Sequence, residues 1–331
     1  MPERLDELTH WLRVTLGRAD FELAPASSDA SFRRYFRVQH GAKTCIAMDA
    51  PPTHEDCRPF VAIAGNFLAL GLHVPEVLAQ DLERGFLLLS DLGSCCYLEA
   101  LNAGSVDQLY GDALDALWRL QSQCDGRALP AYDEALLLRE MGLFRDWFLE
   151  RHLALHLDAE QVAMLDHTCK LLAAVALEQP QVCVHRDYHS RNLMVTGANN
   201  PGILDFQDAV RGPLTYDLVS LLRDCYIAWP RPQVEAWALA YHARLMRTQL
   251  LRDVDATPFL RWFDWMGLQR QMKAVGIFAR LDIRDGKPGY LKDIPRTLGY
   301  MVGVSGRYAE LAPLHTLLCE QVLPRMHEHA P

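Results

Sequence analysis

Two short polar segments on either side of a predicted β-hairpin constrain the fold of this chain more than any other feature. Residues 185–192 have the sequence HRDYHSRN, and residues 205–207 have the sequence DFQ. The residues between them predict two short apolar strands joined by the turn-forming sequence NNPG. This hairpin would bring Asn192, at the start of the first strand, beside Asp205, at the end of the second.

The residue types in these segments suit the transfer of a phosphoryl group. That reaction needs a base close to the acceptor hydroxyl, and hard oxygen ligands for magnesium, which bridges and neutralises the phosphates. Asp187 is the candidate catalytic base, and Asn192 and Asp205 are the candidate magnesium ligands. Asp, Asn and His are also ordinary loop residues, so the alternative is a surface turn with incidental acids. Both segments, in this order around one hairpin, favour the catalytic interpretation.

Composition narrows the class of protein. The chain has 331 residues, half of them hydrophobic, which is enough for two lobes that each bury a core. The net charge of −9 argues against general binding of nucleic acid. No apolar segment suits a signal peptide or a membrane span, and nine cysteines without a C-x-x-C pair are expected to be reduced thiols. We therefore expect a cytoplasmic protein that binds neither nucleic acid nor membrane.

The order of predicted elements divides the chain into a β-rich part and a helical part. Strands are predicted at residues 44–48, 77–79 and 86–90. A helix is predicted over residues 55–70, capped near Thr53 and ended by Gly71, and helical patterns dominate after the first hundred residues. We expect an α+β fold with a small β-rich N-terminal lobe, residues 1–90, and a larger, mainly helical C-terminal lobe, residues 91–331.

With these elements placed, the chain resembles the superfamily of aminoglycoside phosphotransferases and choline kinases, which are relatives of the protein kinases. In kinases, H-R-D-x-x-x-x-N is the catalytic loop, and a second Asp opens the D-F-G segment, which is D-F-Q in this chain. The resemblance covers nearly the whole length. Narrower stretches resemble one branch, the anomeric N-acetylmuramate/N-acetylglucosamine kinases of bacterial cell-wall recycling; these are residues 31–38, 48–52, 89–93 and 276–281.

The resemblance implies a bilobal protein-kinase-like fold, ATP and Mg2+ as cofactors, and a free amino sugar as the acceptor. Members of the branch phosphorylate the anomeric hydroxyl, and the sugar 1-phosphate then passes to a nucleotidyltransferase in peptidoglycan recycling. Two alternatives stay open. One is a kinase of another small alcohol, such as an aminoglycoside, choline or a homoserine-like compound. The other is a non-catalytic, nucleotide-binding pseudokinase.

The distribution of charge favours a neutral or anionic acceptor. Residues 211–331 contain 16 basic and 12 acidic side chains, whereas residues 1–210 contain 17 and 30. In the superfamily the acceptor is held mainly by the C-terminal helices, where a polycationic aminoglycoside would need an acidic surface. N-acetylmuramate instead carries a lactyl carboxylate. Acceptor contacts are expected from five residues: Arg223, Asp224, Tyr226, Arg270 and Lys273.

One departure from the kinase pattern concerns the binding of phosphate. Protein kinases place a Lys at the end of the third strand. This chain has Met48 at that point, and Lys43 lies at the other end of the strand. The sequence SSDAS also replaces a glycine-rich loop, so Ser28 and Ser31 are candidates for cradling phosphate.

Arg33 or Arg34 is the candidate for the missing cation. Alternation along a strand sends the two side chains to opposite faces, so we expect only one of them to reach the phosphates. Two solvent-facing arginines are an equal alternative. The absent lysine also keeps the pseudokinase alternative open, although Asp187, Asn192 and Asp205 argue against it.

Further predictions concern the surroundings of these residues. The segment 87–92 is expected to be a hinge whose backbone pairs with adenine, with Ser90 and Leu92 as contact residues. Asp217 is expected to brace the loop or to cap the helix that follows it. The ring of His185 is expected to hydrogen-bond to backbone near Asp187.

Overall fold

The protein, seen in a computed structural model, is described over residues 2–27, 32–248 and 250–328. It divides into two compact units that alternate along the chain. The first unit comprises Met1–Ala116 and Arg191–Asp208, and the second comprises Leu117–Ser190 and Ala209–Pro331. The chain therefore passes from the second unit to the first within the segment 185–192.

The elements that precede this segment include most of the strands, mainly before Ser90, followed by several helices. In chain order they are α1 (Pro2–Leu16), β1 (Glu22–Ser27), β2 (Arg34–His40), β3 (Lys43–Asp49), α2 (Arg58–Ala69), β4 (Val77–Asp81), β5 (Phe86–Ser90), α3 (Tyr97–Ala100), α4 (Val106–Gln123), α5 (Glu134–Leu143), a π-helix (Phe144–His152), α6 (Ala159–Leu177) and β6 (Gln181–Val184).

The elements that follow are mainly helical. They are β7 (Leu193–Met194), β8 (Gly202–Ile203), β9 (Val210–Pro213), α7 (Tyr216–Leu222), α8 (Arg231–Leu245), α9 (Ala256–Asp285), α10 (Ile294–Ser305), α11 (Ala312–Leu317), a second π-helix (Leu318–Val322) and α12 (Leu323–Glu328).

The first unit is built on a five-stranded antiparallel sheet with the strand order β1-β2-β3-β5-β4. Leu8, Trp11 and Leu12 of α1 join a buried cluster with sheet residues such as Val38 and Phe86. Their spacing places the three helical side chains on one face, so α1 covers the sheet with its apolar stripe. The short β7-β8 hairpin belongs to the same unit.

The second unit is organised around α9, a helix of 30 residues. Helices α5, α6, α7, α8 and α10 pack against it. Gly276 permits a close approach of α5, because a Cβ atom there would lie 2.4 Å from the carbonyl carbon of Leu143 at the end of α5. The helix ends at Gly286, whose φ of 63° is the left-handed conformation that favours glycine after a helix.

The expected α+β architecture is confirmed by the sheet and the mainly helical remainder. The predicted start of α2 is wrong, because the helix follows Cys57 without a side-chain cap, so Thr53 does not cap it. Strand β1 is not predicted by its sequence, since it contains Pro25; its edge position in the sheet tolerates a residue without an N–H group. The lobe boundary after residue 90 stays a prediction. None of the described helices is long and apolar enough to cross a membrane.

Candidate active site

The segment that carries Asp187 leaves β6 and is held by the carboxylate of Asp217. Oδ2 of Asp217 accepts a hydrogen bond from the backbone N–H of His185 over 2.7 Å, and Oδ1 accepts one from Arg186 over 3.0 Å. Asp217 lies in the first turn of α7, whose N-cap residue is Thr215, so the prediction of a loop brace is confirmed and the alternative of a helix cap is wrong. The backbone N–H of Asp187 donates to Nδ1 of His185 over 3.2 Å, as expected for a histidine that orders this loop.

The far end of the same loop is held by Asp224. Its Oδ2 accepts a hydrogen bond from the backbone N–H of Ser190 over 2.9 Å, and its Oδ1 accepts one from Tyr226 over 2.9 Å. The ring of Tyr226 lies 5.3 Å from the ring of His189, measured between centroids. Two of the residues predicted to contact the acceptor thus border the loop, and the contact itself stays a prediction.

Asp187 lies among basic side chains of the second unit. Burial alone would raise the pKa of its carboxyl, because the interior solvates a charge poorly. Positive charges outweigh that effect and hold the pKa below its usual value; they belong to Lys273, His189, Arg270 and Arg186. Asp187 is therefore ionised at neutral pH and is able to accept a proton.

The candidate magnesium ligands lie together in the first unit. Asn192 precedes β7 and Asp205 follows β8, and Nδ2 of Asn192 lies 3.3 Å from Oδ2 of Asp205. The backbone N–H of Leu204 donates to the carbonyl oxygen of Asn192 over 2.9 Å and closes this end of the hairpin. Nε2 of Gln207 donates to Oδ1 of Asp205 over 2.7 Å. The predicted hairpin thus brings the two ligands together.

This donor set suits magnesium. A carboxylate and an amide carbonyl are hard oxygen ligands, and magnesium is usually held by one or two protein carboxylates together with water and phosphate oxygens. Among the residues that the structure describes, no group of three or more His, Cys, Asp or Glu side chains could hold a metal ion. The donor atoms of Asn192 and Asp205 fit a magnesium ion, and their binding of one stays a prediction.

Phe206 anchors the turn that carries Asp205. The φ angle of Asp205 is 63°, a left-handed conformation that Asp tolerates better than most residues. The next side chain, Phe206, is fully buried, and its ring lies 4.8 Å from that of Phe60 and 5.8 Å from that of Phe67, both on α2. Burying an aromatic ring of this size contributes roughly 1.5–3 kcal/mol, and here it holds the turn to α2.

The two candidate phosphate-binding arginines are held by different carboxylates. Arg33 pairs with Glu55 over 2.9 Å, whereas Arg34 pairs with Asp49. Arg34 lies directly opposite Asp49 in the register of β2 and β3, at the residue that follows Met48. Successive side chains of a strand point to opposite faces, so Arg34 and Asp49 share the face on which Arg4 of α1 also pairs with Asp49, and Met48 lies on the other face. Which of the two arginines reaches the phosphates stays a prediction.

The other residues predicted to contact the nucleotide are differently placed. The hydroxyl of Ser90 accepts the backbone N–H of Glu76 over 2.9 Å at the end of β5. Leu92 is buried. Ser28 and Ser31 lie outside the described residues. Contact of these four residues with ATP stays a prediction.

The remaining predicted acceptor residues are buried basic side chains, namely Arg223, Arg270 and Lys273. Arg223 forms an ion pair with Asp264. Nη1 of Arg270 lies 3.7 Å from Sγ of Cys225. The structure thus holds the first two against protein groups, and their contact with an acceptor stays a prediction.

Glu140 and Asp49 are two functional candidates that sequence reasoning missed. Glu140 binds Lys273 over 3.1 Å and Arg186 over 2.6 Å. Its signal is helical spacing, because it lies three residues after Leu137 on the buried face of α5. Asp49 is fully buried and pairs with two arginines. The sequence feature that could have indicated Asp49 is its position as an acidic residue directly after the apolar segment CIAM.

Comparison with known proteins gives relatives over most of the chain. The model of the phosphotransferase enzyme family matches residues 22–257. A Pseudomonas aeruginosa protein named N-acetylmuramate/N-acetylglucosamine kinase is 52% identical over 90% of this chain and 88% of its own. A protein of the same name from Pseudomonas putida is 46% identical over 97% of this chain and 98% of its own. Another from Neisseria meningitidis is 41% identical over 97% of this chain and 96% of its own.

Solved structures share the fold. The ADP-bound aminoglycoside phosphotransferase APH(2'')-Ib matches with a TM-score of 0.58 and 15% identity, over 90% of this chain and 98% of its own. The choline kinase LicA from Streptococcus pneumoniae matches with a TM-score of 0.61 and 11% identity, over 91% and 99%. At such low identity the likeness concerns the fold alone.

Proposed function

Because the chain belongs to the phosphotransferase enzyme family, we propose that it is an ATP-dependent kinase of the amino sugars N-acetylmuramate and N-acetylglucosamine. The observation that carries this proposal is its similarity, along nearly the whole chain, to several proteins named for that activity. The ionised Asp187 and the paired Asn192 and Asp205 supply the side-chain chemistry that such a transfer needs.

Asp187 acts as the base in this proposal. It orients the acceptor hydroxyl and takes its proton as the phosphoryl group is transferred. Its pKa lies below the usual value, so it is a weak base and takes the proton only as the bond to phosphorus forms. The anomeric hydroxyl is the most acidic hydroxyl of a sugar and suits a weak base. We therefore assign the transfer to the anomeric position, with a sugar 1-phosphate as product.

Asn192 and Asp205 would hold magnesium, which screens the charge of the transferring phosphates when it is bound. Arg33 or Arg34 would add positive charge in place of the strand lysine. The backbone of the hinge near Ser90 and Leu92 would receive the adenine. These assignments are proposals that follow from the family and from the positions of the side chains.

A place in cell-wall recycling is part of the same proposal. A sugar 1-phosphate is the substrate that a nucleotidyltransferase requires, so such an enzyme is the expected consumer of the product. We expect the protein to act in the cytoplasm, on free amino sugars released from peptidoglycan.

The test is to incubate the protein with ATP, magnesium and single acceptors, and to locate any new phosphate by phosphorus NMR. N-acetylmuramate or N-acetylglucosamine should gain a 1-phosphate. The matched control is the methyl glycoside of each sugar, which lacks the anomeric hydroxyl and should gain nothing. Phosphate on the methyl glycoside would place the reaction at another hydroxyl. Preference for an aminoglycoside or choline would make the protein a kinase of another alcohol, and no turnover with any acceptor would favour a pseudokinase.

A further inference from the structure

A buried cluster of charges lies behind the loop that presents Asp187. Its centre is Glu140 on α5, whose side chain is 9% exposed. Oε1 of Glu140 lies 2.6 Å from Nη2 of Arg186 and 3.1 Å from Nζ of Lys273, and Oε2 accepts a hydrogen bond from the hydroxyl of Tyr132. One carboxylate therefore binds a cation from the loop and a cation from α9.

Lys273 makes a second contact that leads to the same loop. Its Nζ donates to the hydroxyl of Tyr216 over 3.1 Å, and Tyr216 is the first residue of α7. The next residue, Asp217, accepts the backbone N–H groups of His185 and Arg186. Lys273 thus joins the carboxylate that holds the side chain of Arg186 to the helix that holds its backbone.

Arg186 needs such support because its φ angle is 78°. A side chain other than glycine is strained in the left-handed region, at a cost of about 1–3 kcal/mol, and keeps that conformation only where its surroundings enforce it. Arg186 directly precedes Asp187 in the chain. The contacts that enforce its conformation therefore also set the direction in which the chain presents Asp187.

The packing of α5 on α9 brings Glu140 and Lys273 together. Gly276 lies three residues after Lys273, and Leu143 lies three residues after Glu140, so each pair shares one face of its helix. The absence of a side chain at Gly276 lets the two helices approach closely. One turn away, that approach places the ammonium and the carboxylate at ion-pair distance.

We propose that Lys273 is a positioning residue for the catalytic loop, which it holds through Glu140 and Tyr216, and that it does not bind the acceptor. The proposal rests on the proposed function, in which Asp187 is the base. The charged and titratable groups around Asp187 are Lys273, His189, Arg270, Arg186 and Asp217. Removing the charge of Lys273 therefore removes one of several positive charges near Asp187. It also removes the contacts of Lys273 with Glu140 and Tyr216.

The decisive variant is Lys273→Met, which keeps the unbranched stem and removes the charge. Misplacement of a catalytic group by about 1 Å costs up to about 100-fold, so we expect kcat to fall by roughly 10- to 100-fold. The KM values for ATP and sugar should stay within about twofold, since no ground-state contact is lost. The acid limb of the kcat profile should move to higher pH. Lys273→Arg, which keeps the charge, should restore most of kcat.

A residue that binds the acceptor would behave differently. Its loss would raise KM for the sugar with kcat and the pH profile retained, and that result would overturn the proposal, as would wild-type behaviour of Lys273→Met. Lys170→Met, at an exposed lysine of α6, is the control and should leave all constants unchanged.

Glu140→Gln keeps the test decisive if one variant folds poorly. Thermal melts identify a variant that folds poorly. Glu140→Gln should remove the charged partner that Arg186 and Lys273 share, and kcat should fall as much as in Lys273→Met. Because both substitutions break one network, the double variant should be no slower than the slower single variant. Fully multiplicative losses would mean that the two residues act independently and would overturn the proposal.

A measurement without an acceptor separates this proposal from the proposed function. Carbon NMR of the protein labelled at aspartate carboxyls, assigned with Asp187→Asn, follows the titration of Asp187 in the absence of magnesium. Lys273→Met should raise the pKa of Asp187 and Lys170→Met should not. If the pKa of Asp187 is unchanged in Lys273→Met, the positioning role of Lys273 is contradicted and the proposed function is not. If the pKa rises but the wild-type protein phosphorylates no acceptor, the proposed function is contradicted and the role of Lys273 is not.

Discussion

The amide nitrogen of Asn192 points at Oδ2 of Asp205, so the two candidate metal ligands are joined by a hydrogen bond across the open end of the hairpin. A metal ion binds the carbonyl oxygen of an asparagine and not its nitrogen. If Asn192 and Asp205 hold magnesium as proposed, the carbonyl oxygen of Asn192 and a carboxylate oxygen of Asp205 would be its ligands. The hydrogen bond already keeps the two side chains close together.

Asp205→Asn tests the role of the carboxylate in metal binding. Asparagine tolerates the left-handed backbone at this position, so the turn should be kept. Loss of the negative charge should weaken the binding of magnesium. Because the ion contributes several kcal/mol to phosphoryl transfer, turnover should fall by about 100-fold or more. A magnesium titration of activity checks this, with Asp208→Asn as the control in the same turn. An unchanged magnesium dependence would show that Asp205 only shapes the hairpin.

Asp187→Asn tests the base. The shape of the side chain is kept while its ability to take a proton is lost, so turnover should fall by roughly two to four orders of magnitude. ATP binding, measured by calorimetry, and the melting temperature should stay close to those of the wild type. Turnover near the wild-type rate would remove Asp187 from the mechanism.

Arg33→Ala and Arg34→Ala test which arginine replaces the strand lysine. Asp49 keeps a partner in Arg34→Ala, because Nε of Arg4 donates to its Oδ1 over 2.7 Å, so the fold should survive. A hydrogen bond to a charged group is worth about 1.5–3 kcal/mol. The variant that lacks the phosphate-binding arginine should therefore bind ATP at least about tenfold more weakly while its affinity for adenosine is unaffected, and the other variant should change both affinities equally. If both variants change the affinities for ATP and adenosine equally and only slightly, neither arginine binds the phosphates, and backbone N–H groups and magnesium would bind them instead.

Asp217→Asn tests a pH dependence of stability. Burial raises the pKa of Asp217 to about 7, although two backbone N–H groups favour its ionised form. In the unfolded chain an Asp titrates near pH ~3.9. Because the folded pKa is the higher one, the proton bound to Asp217 stabilises the fold fully below about pH 4, and this contribution is lost as the pH rises to about 7. The stability of the wild type minus that of the variant, from urea unfolding, should therefore fall between these two pH values. A constant difference would show that Asp217 does not titrate in this range.

The hairpin was predictable because its determinants are local. Two apolar strands and a turn lie within twelve residues, and the structure pairs Leu193 with Ile203 as the pattern indicates. The hairpin needs only short-range chemistry, and the sequence displays it directly. The position of Asp217 at the start of a helix indicated only part of its role, because the two N–H groups that it binds, those of His185 and Arg186, lie 32 and 31 residues earlier in the chain.

The residues that support the catalytic loop from other helices, such as Glu140, were not predictable in the same way. Glu140 lies in the sequence LLREMG, where a charged residue is typical of an exposed helix face, and its burial depends on the packing of a helix more than 100 residues away. The importance of Gly276 has the same origin, because only the position of Leu143 distinguishes it from the other glycines of the helices. Long-range packing decides the role of both residues.

The burial of Phe206 has a consequence for inhibitor design. Compounds that require this ring to swing outward select a rare conformer, because emptying a core site of a phenyl ring costs about 3–5 kcal/mol. That cost is subtracted from the binding free energy and weakens such compounds by roughly 100-fold or more. Since Phe60 and Phe67 both hold the ring, scaffolds that accept its inward position have the better prospects as selective drugs against this protein.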